Sequence, residues 1–527
     1  AIGYQSLRNN TTGSDNFAVG GHSLECNTTG CFNTALGNKA MTLSLSGCHN
    51  FAAGHCSLYS NNGGCCNTSI GYLSLQCNTA GSANTAIGAQ SLRCNTTGSS
   101  NVALGPISLF KNTTGCDNIA LGCNALYGNT TGGCNFAAGV YSLANNLSAN
   151  HNTAIGQYAL QLNHSGYYNT AIGHAALKSN TTGSSNFAAG LCALYNNCCG
   201  SCNTAIGKDA LFGNTTGGCN NAIGLGALYT NTTGTYNNAI GRQALFCNTT
   251  GSHNNALGQN ALLSSLSGCH NFAAGLYALC SNWGGCTNIA IGCGTLCDNT
   301  TGNNNTAIGN QALCDNTTGN HNTAIGDGAS RSNITGNYNN AIGQYSLLSN
   351  ITGCHNNALG YYTLGSNTTG SNNTAIGNNA LRNSLSGCHN FAAGESALYS
   401  NSSGCYNVAI GCNAMYDNTD GCYNTAFGNY ALTNNTCGLH NFAVGQNALR
   451  TNTTGGRNIG LGACSLYCNS SGNCNTALGC WALCANTCGN DNIGIGYGTL
   501  KTNQTGHYNT ALGLCSQMTQ NGGCHNF

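Results

Sequence analysis

Apolar and polar residues recur along this chain with a period of 17, and the pattern inside one period is fixed. Asn152-Thr153-Ala154-Ile155-Gly156 returns as Asn169-Thr170-Ala171-Ile172-Gly173, then as Asn186-Phe187-Ala188-Ala189-Gly190, then as Asn203-Thr204-Ala205-Ile206-Gly207. Counted from that Asn, the phrase reads N-x-A-[I/L]-G-x-x-[A/S]-L-x-x-N-x-[T/S]-G-x-x. Asn at position 1 and Gly at position 5 stand in all 31 copies. Position 15 is Gly in all but one, where Ala149 stands, and position 9 is Leu with few exceptions (Met41, Met415, Ser330, Gln517). A fixed short period means a solenoid rather than several globular cores. The chain is expected to be all-β: a parallel β-solenoid (β-helix or β-roll) of 31 tandem 17-residue coils, one continuous repeat region over 1–527. It begins and stops part-way through the phrase, which suggests a slice of a longer chain.

Positions 2 and 4 trade volume. Where position 4 is Ala (Ala53, Ala138, Ala189, Ala274, Ala393), position 2 is Phe (Phe51, Phe136, Phe187, Phe272, Phe391). Residues i and i+2 share a face only in a strand. Constant summed volume is what a packed interior requires. Positions 1–5 are therefore expected to form a strand with positions 2 and 4 packed inward. Positions 1, 3 and 5 leave a uniformly small opposite face, which another sheet or chain would approach closely. The glycine of position 5 allows a corner, positions 7–11 predict a second strand carrying the leucine, and positions 12–15 predict a turn with Gly or Asn at positive φ. Coils stacked about 4.8 Å apart would give a rod on the order of 150 Å long. The Asn of position 1 (Asn152, Asn169, Asn186, Asn203) suits a ladder of stacked side-chain amides; the competing reading is an Asn that closes a turn. Gly and Asn recur too often for a helix, and the apolar positions are too regular for disorder.

The phrase N-T-A-I-G-x-x-A-L-x-x-N-T-T-G resembles the head repeat of trimeric autotransporter adhesins (the YadA-like heads), which runs N-S-x-A-I-G-x-x-S. It also resembles the N-T-A-I-G-x-x-A-L repeat of phage tail-fibre-like surface proteins. The likeness covers the whole chain. It implies a β-roll or β-helix, left-handed as in the adhesin heads, assembled as a homotrimer. The period of 17 is somewhat longer than that of the adhesin heads.

Charge narrows the function. Charged residues are 4 % of the chain and the net charge is +1, so no basic stripe exists to neutralise phosphates of a nucleic acid. The 11 Asp and Glu cannot supply a calcium cage in every coil, and no apolar run approaches the roughly 20 residues of a membrane span. One proline, Pro106, fits a backbone whose N–H groups are committed to a ladder. With 37 cysteines and no metal-like clustering, the setting expected is oxidising and extracellular.

Position 12 opens an Asn-x-Ser/Thr sequon in 20 of 31 copies: Asn10, Asn27, Asn95, Asn112, Asn129, Asn146, Asn163, Asn180, Asn214, Asn231, Asn248, Asn299, Asn316, Asn333, Asn350, Asn367, Asn401, Asn452, Asn469 and Asn503. On an exposed turn of a secreted chain these are acceptors for covalent glycans, and a sugar coat would keep an uncharged rod soluble. The alternative is plain turn chemistry in an unmodified bacterial or phage product. Cysteines never occupy positions 1–5, 8, 9, 12 or 15. They often fall one period apart, as in Cys77 and Cys94, Cys280 and Cys297, and Cys388 and Cys405, within disulfide reach in a parallel stack; free thiols are the other reading. No Cys-x-x-Cys matches a His pair for zinc, and no nucleophile has a partnered base. The chain is therefore expected to be no enzyme and to need no cofactor beyond covalent glycans. A flat threonine array for ice binding fails too, since positions 13 and 14 do not share a face. The leading expectation is a structural protein that self-assembles as the body of an extracellular glycosylated fibre. The alternative is the shaft of an adhesin or phage-type tail fibre that presents a receptor-binding tip.

Overall fold

The computed structural model describes residues 1–519 and 521–527. It is a parallel β-solenoid with no helix among the described residues, built from 30 three-residue strands numbered β1 (Phe17–Val19) to β30 (Thr510–Leu512) in chain order. Two compact units divide it, Ala1–Ser267 with β1–β15 and Gly268–Phe527 with β16–β30. Within each unit every strand pairs in parallel with the next at a register of one period. In β9 (Thr153–Ile155) and β10 (Thr170–Ile172), Thr153 faces Thr170, Ala154 faces Ala171 and Ile155 faces Ile172. Fifteen coils at the usual strand spacing make each unit about 70 Å long.

The strand lies at positions 2–4, but its faces are the reverse of the expectation. Ala154 is fully buried, whereas Ile155 is 39 % exposed; the alternation of half-exposed, buried, exposed recurs along the strands. The interior holds positions 1, 3, 8, 9, 12 and 15: in one coil Asn152, Ala154, Ala159, Leu160, Asn163 and Gly166. The coil is too narrow to admit an isoleucine beside the leucine of position 9, so the small residue of the strand goes in and the large ones go out. The interior varies a little at positions 3 and 8: Ala290 and Ala358 stand with Thr295 and Thr363, Ser69 with Ser74, and Gly460 with Ser465. Gly494 replaces Ala where Thr499 stands at position 8, and a Cβ on Gly494 would sit 2.9 Å from the Thr499 hydroxyl.

Positions 7–11 form no second strand. The backbone there takes positive φ at positions 7 and 9, as in Tyr158 (+60°) and Leu160 (+51°), and again at position 17, as in Tyr168 (+57°). The turn at 12–15 leaves the position-15 glycines at ordinary φ. The position-5 glycine is the one that needs its freedom: Gly156 has φ +125°, and a Cβ there would lie 2.6 Å from the carbonyl oxygen of Gly173. Left-handed conformation costs a non-glycine residue about 1 kcal/mol or more. What offsets it is axial hydrogen bonding in both directions. Gly156 donates back to Ala138 and Tyr158 to Val140, while Thr153 donates forward to Asn169, Leu160 to Ala176, Leu162 to Lys178 and His164 to Thr181.

Candidate functional site

Two columns of buried asparagine run through each unit. In the position-1 column the Nδ2 of Asn186 donates to Oδ1 of Asn169 (3.1 Å), and its backbone N–H donates to the same oxygen (3.0 Å). Asn203 repeats both contacts to Asn186 at 3.2 and 3.0 Å. Between Asn152 and Asn169 the rung is the backbone N–H to Oδ1 bond at 3.0 Å. The position-12 column has the same polarity: Asn180 donates to Asn163 and Asn197 to Asn180, both at 2.8 Å. The two columns meet inside each coil, where Asn186 and Asn197 both donate at 2.9 Å to the carbonyl of Gly200. That carbonyl uses both lone pairs, and a Cβ on Gly200 would press on Asn197 and on Asn214. Position 15 is glycine for that space rather than for its φ.

This placement weighs against the expectation of asparagine-linked glycans. Asn27, Asn95, Asn112, Asn129, Asn146, Asn163, Asn180, Asn214, Asn231, Asn248, Asn299, Asn316, Asn333, Asn350, Asn367, Asn401, Asn452, Asn469 and Asn503 are all fully buried. Only Asn10, in the outermost coil of its unit, is exposed. A sugar on the Nδ2 of Asn180 would replace one of the two hydrogens that hold Asn163 and Gly183 and would have to fit in the buried interior, so this ladder and that glycan exclude each other. The second column was invisible as a sequon. The sequence signal nearest to it is the absence of cysteine at 12, which position 12 shares with the buried positions 1, 3, 8, 9 and 15 and also with the outward positions 2 and 4.

Among the described residues, three coils interrupt the second column. Ser44, Ser265 and Ser384 stand at position 12, each opening the same run Ser-Leu-Ser-Gly-Cys-His-Asn-Phe-Ala-Ala-Gly. The serine is too short to reach its neighbour. Each Oγ and the Oδ1 of the preceding Asn27, Asn248 and Asn367 is left buried without a partner.

The candidate disulfide pairs fall on adjacent coils, and all 37 cysteines are thiols in the structure. The backbone N–H of Cys388 donates to Sγ of Cys405 (3.2 Å) and that of Cys405 to Sγ of Cys422 (3.1 Å). A thiol hydrogen bond with Cys280, followed by burial, pushes Cys297 up to about 12. Burial, ahead of the charge of Cys77, raises Cys94. Among the described residues no group of three or more His, Cys, Asp or Glu is placed to hold a metal ion, and no helix is long and apolar enough to cross a membrane.

Outside, side chains repeat as columns. Tyr195, Phe212, Tyr229 and Phe246 stack with ring centroids 5.2, 5.1 and 4.9 Å apart. His389, Tyr406, Tyr423 and His440 stack at 4.7, 5.0 and 5.0 Å. No protein-family model matches this chain, and no curated protein matches it.

Proposed function

We propose that this chain is a structural protein, the body of an extracellular fibre that assembles from copies of itself. One observation carries the reading: the same buried rungs recur coil after coil through each unit, so the elements that hold a unit together point along that unit's axis. Backbone ladder, two asparagine columns and aromatic stacks resist axial separation. The many cysteines and scarce charge support an extracellular setting. The reading omits asparagine-linked sugar, because the amides that would carry it are the rungs. Adhesin or tail-fibre shaft remains the second reading, favoured by the match of Asn-Thr-Ala-Ile-Gly to those repeats, and a homotrimer would be its assembly. Immunogold electron microscopy of native material tests the choice. Label along long free filaments is expected; label confined to short spikes on a cell or virion surface overturns the fibre body in favour of the shaft.

A further inference from the structure

Positions 2 and 4 compose one outward sheet face on each unit. Across all copies they hold only Thr, Asn, Phe, Val, Ile, Leu and Ala, with no charged residue and no cysteine, although other surface slots accept both. Ile155 and Ile172 are each 39 % exposed. In the second unit Ile342, Leu359 and Ile376, flanked by Asn340, Asn357 and Thr374, line a shallow hollow of about 310 Å³. Solvent imposes no constant-volume rule, yet here Phe at position 2 always accompanies Ala at position 4. In β11 (Phe187–Ala189) and β12 (Thr204–Ile206) the paired strands present Phe187 beside Thr204 and Ala189 beside Ile206. The trade limits the summed volume where Phe enters, while Ile119 with Leu121 and Ile289 with Ile291 make the face fuller elsewhere. An uncharged face with a repeat of one strand spacing fits a surface of the same repeat.

We infer that this face is where a second copy of the chain packs, sheet on sheet, giving a face-to-face pair; the inference deepens the fibre reading and rests on it. Two such faces would meet at about the 10 Å usual for stacked sheets, in a dry seam. Area supports one occupant of this kind. With roughly 100 Å² offered per coil, fifteen coils offer on the order of 1,500 Å², against about 800 Å² per partner in a standard interface. Apolar patches beyond a few hundred Å² on a soluble chain mark interaction surfaces.

The test is sedimentation velocity on the full chain, with Ile172→Lys, Ile206→Lys and Ile240→Lys combined in one variant. A control variant carries Val140→Lys, Leu191→Lys and Leu225→Lys, equally exposed apolar residues at position 6, off the face. The wild type and control are expected at the mass of two chains. The face variant should dissociate with a constant raised roughly a hundredfold, since it buries unpaired charge in the seam, while its circular dichroism stays that of the wild type. Photo-cross-linking from a benzophenone amino acid at Ile206 in an otherwise native chain should give covalent pairs. A wild type of one chain or of three overturns the pairing, as does cross-linking to neutral lipid vesicles in place of a second chain. Either result leaves the fibre reading standing, because labelled filaments test that separately.

Discussion

Leu160 sits fully buried at φ +51°, a conformation that a β-branched residue tolerates poorly. Two substitutions of nearly equal volume should therefore differ. Leu160→Met is expected to cost under about 1.5 kcal/mol, as Met41 and Met415 already occupy that position at φ +53° and +51°. Leu160→Ile should cost at least about 1 kcal/mol more through the backbone; equal melting temperatures would show that φ is not what constrains the site. Ser44 gives a second residue-scale prediction. Ser44→Asn restores a donor to the orphaned oxygen of Asn27 and should stabilise the chain by about 1–3 kcal/mol in calorimetry. No gain would mean that the gap is already satisfied by water. Glycopeptide mass spectrometry on native material should find Asn95, Asn112 and Asn129 bare, and sugar on most of them would break the buried ladder.

At the scale of the coil, the period and the place of the strand were legible in the sequence, because Asn152, Ala154 and Gly156 recur without slipping. Facing was not. Ile155 is more apolar than Ala154, and hydrophobicity alone sends it inward. What decides is the width of the coil, set by Leu160, Ala159 and two asparagines, and that width is a property of the assembled turn. The burial of Asn163 was illegible for a related reason: a polar side chain goes inside only where its partners are in place, and its partners stand 17 residues away. Leucine is an uncommon choice for left-handed φ, so positions 7–11 read as strand. Thiols give the coil its pH dependence. Burial first, and the neighbouring Cys468 second, push Cys484 from an ordinary 9.0 up to about 11; Cys468 and Cys247 are raised by burial as well. The unfolded chain then ionises these thiols before the folded one does. Stability should be fully present below about pH 9 and fall as pH rises toward 11, read by denaturant melts under reducing conditions. A flat profile across that window would place these thiols in water.

Over a whole unit, stability is expected to add coil by coil, each coil resting on its two neighbours. Gly156→Ala would drive a Cβ against the Gly173 carbonyl at a φ that alanine avoids. It should open the stack locally, exposing backbone amides of the coils around it to hydrogen exchange while distant coils stay protected. Uniform loss of protection along the unit would show one cooperative body instead.

The assignment of inside and outside is the claim on which the fold, the bare asparagines and the paired faces all depend. An electron cryo-microscopy map of native filaments at about 3 Å tests it most directly. The map is expected to show an axial repeat of about 4.8 Å, two columns of asparagine density within each coil, and the position-4 side chains outside, seated against a second chain. Isoleucine density inside the coil, or sugar density extending from the position-12 asparagine, would contradict it.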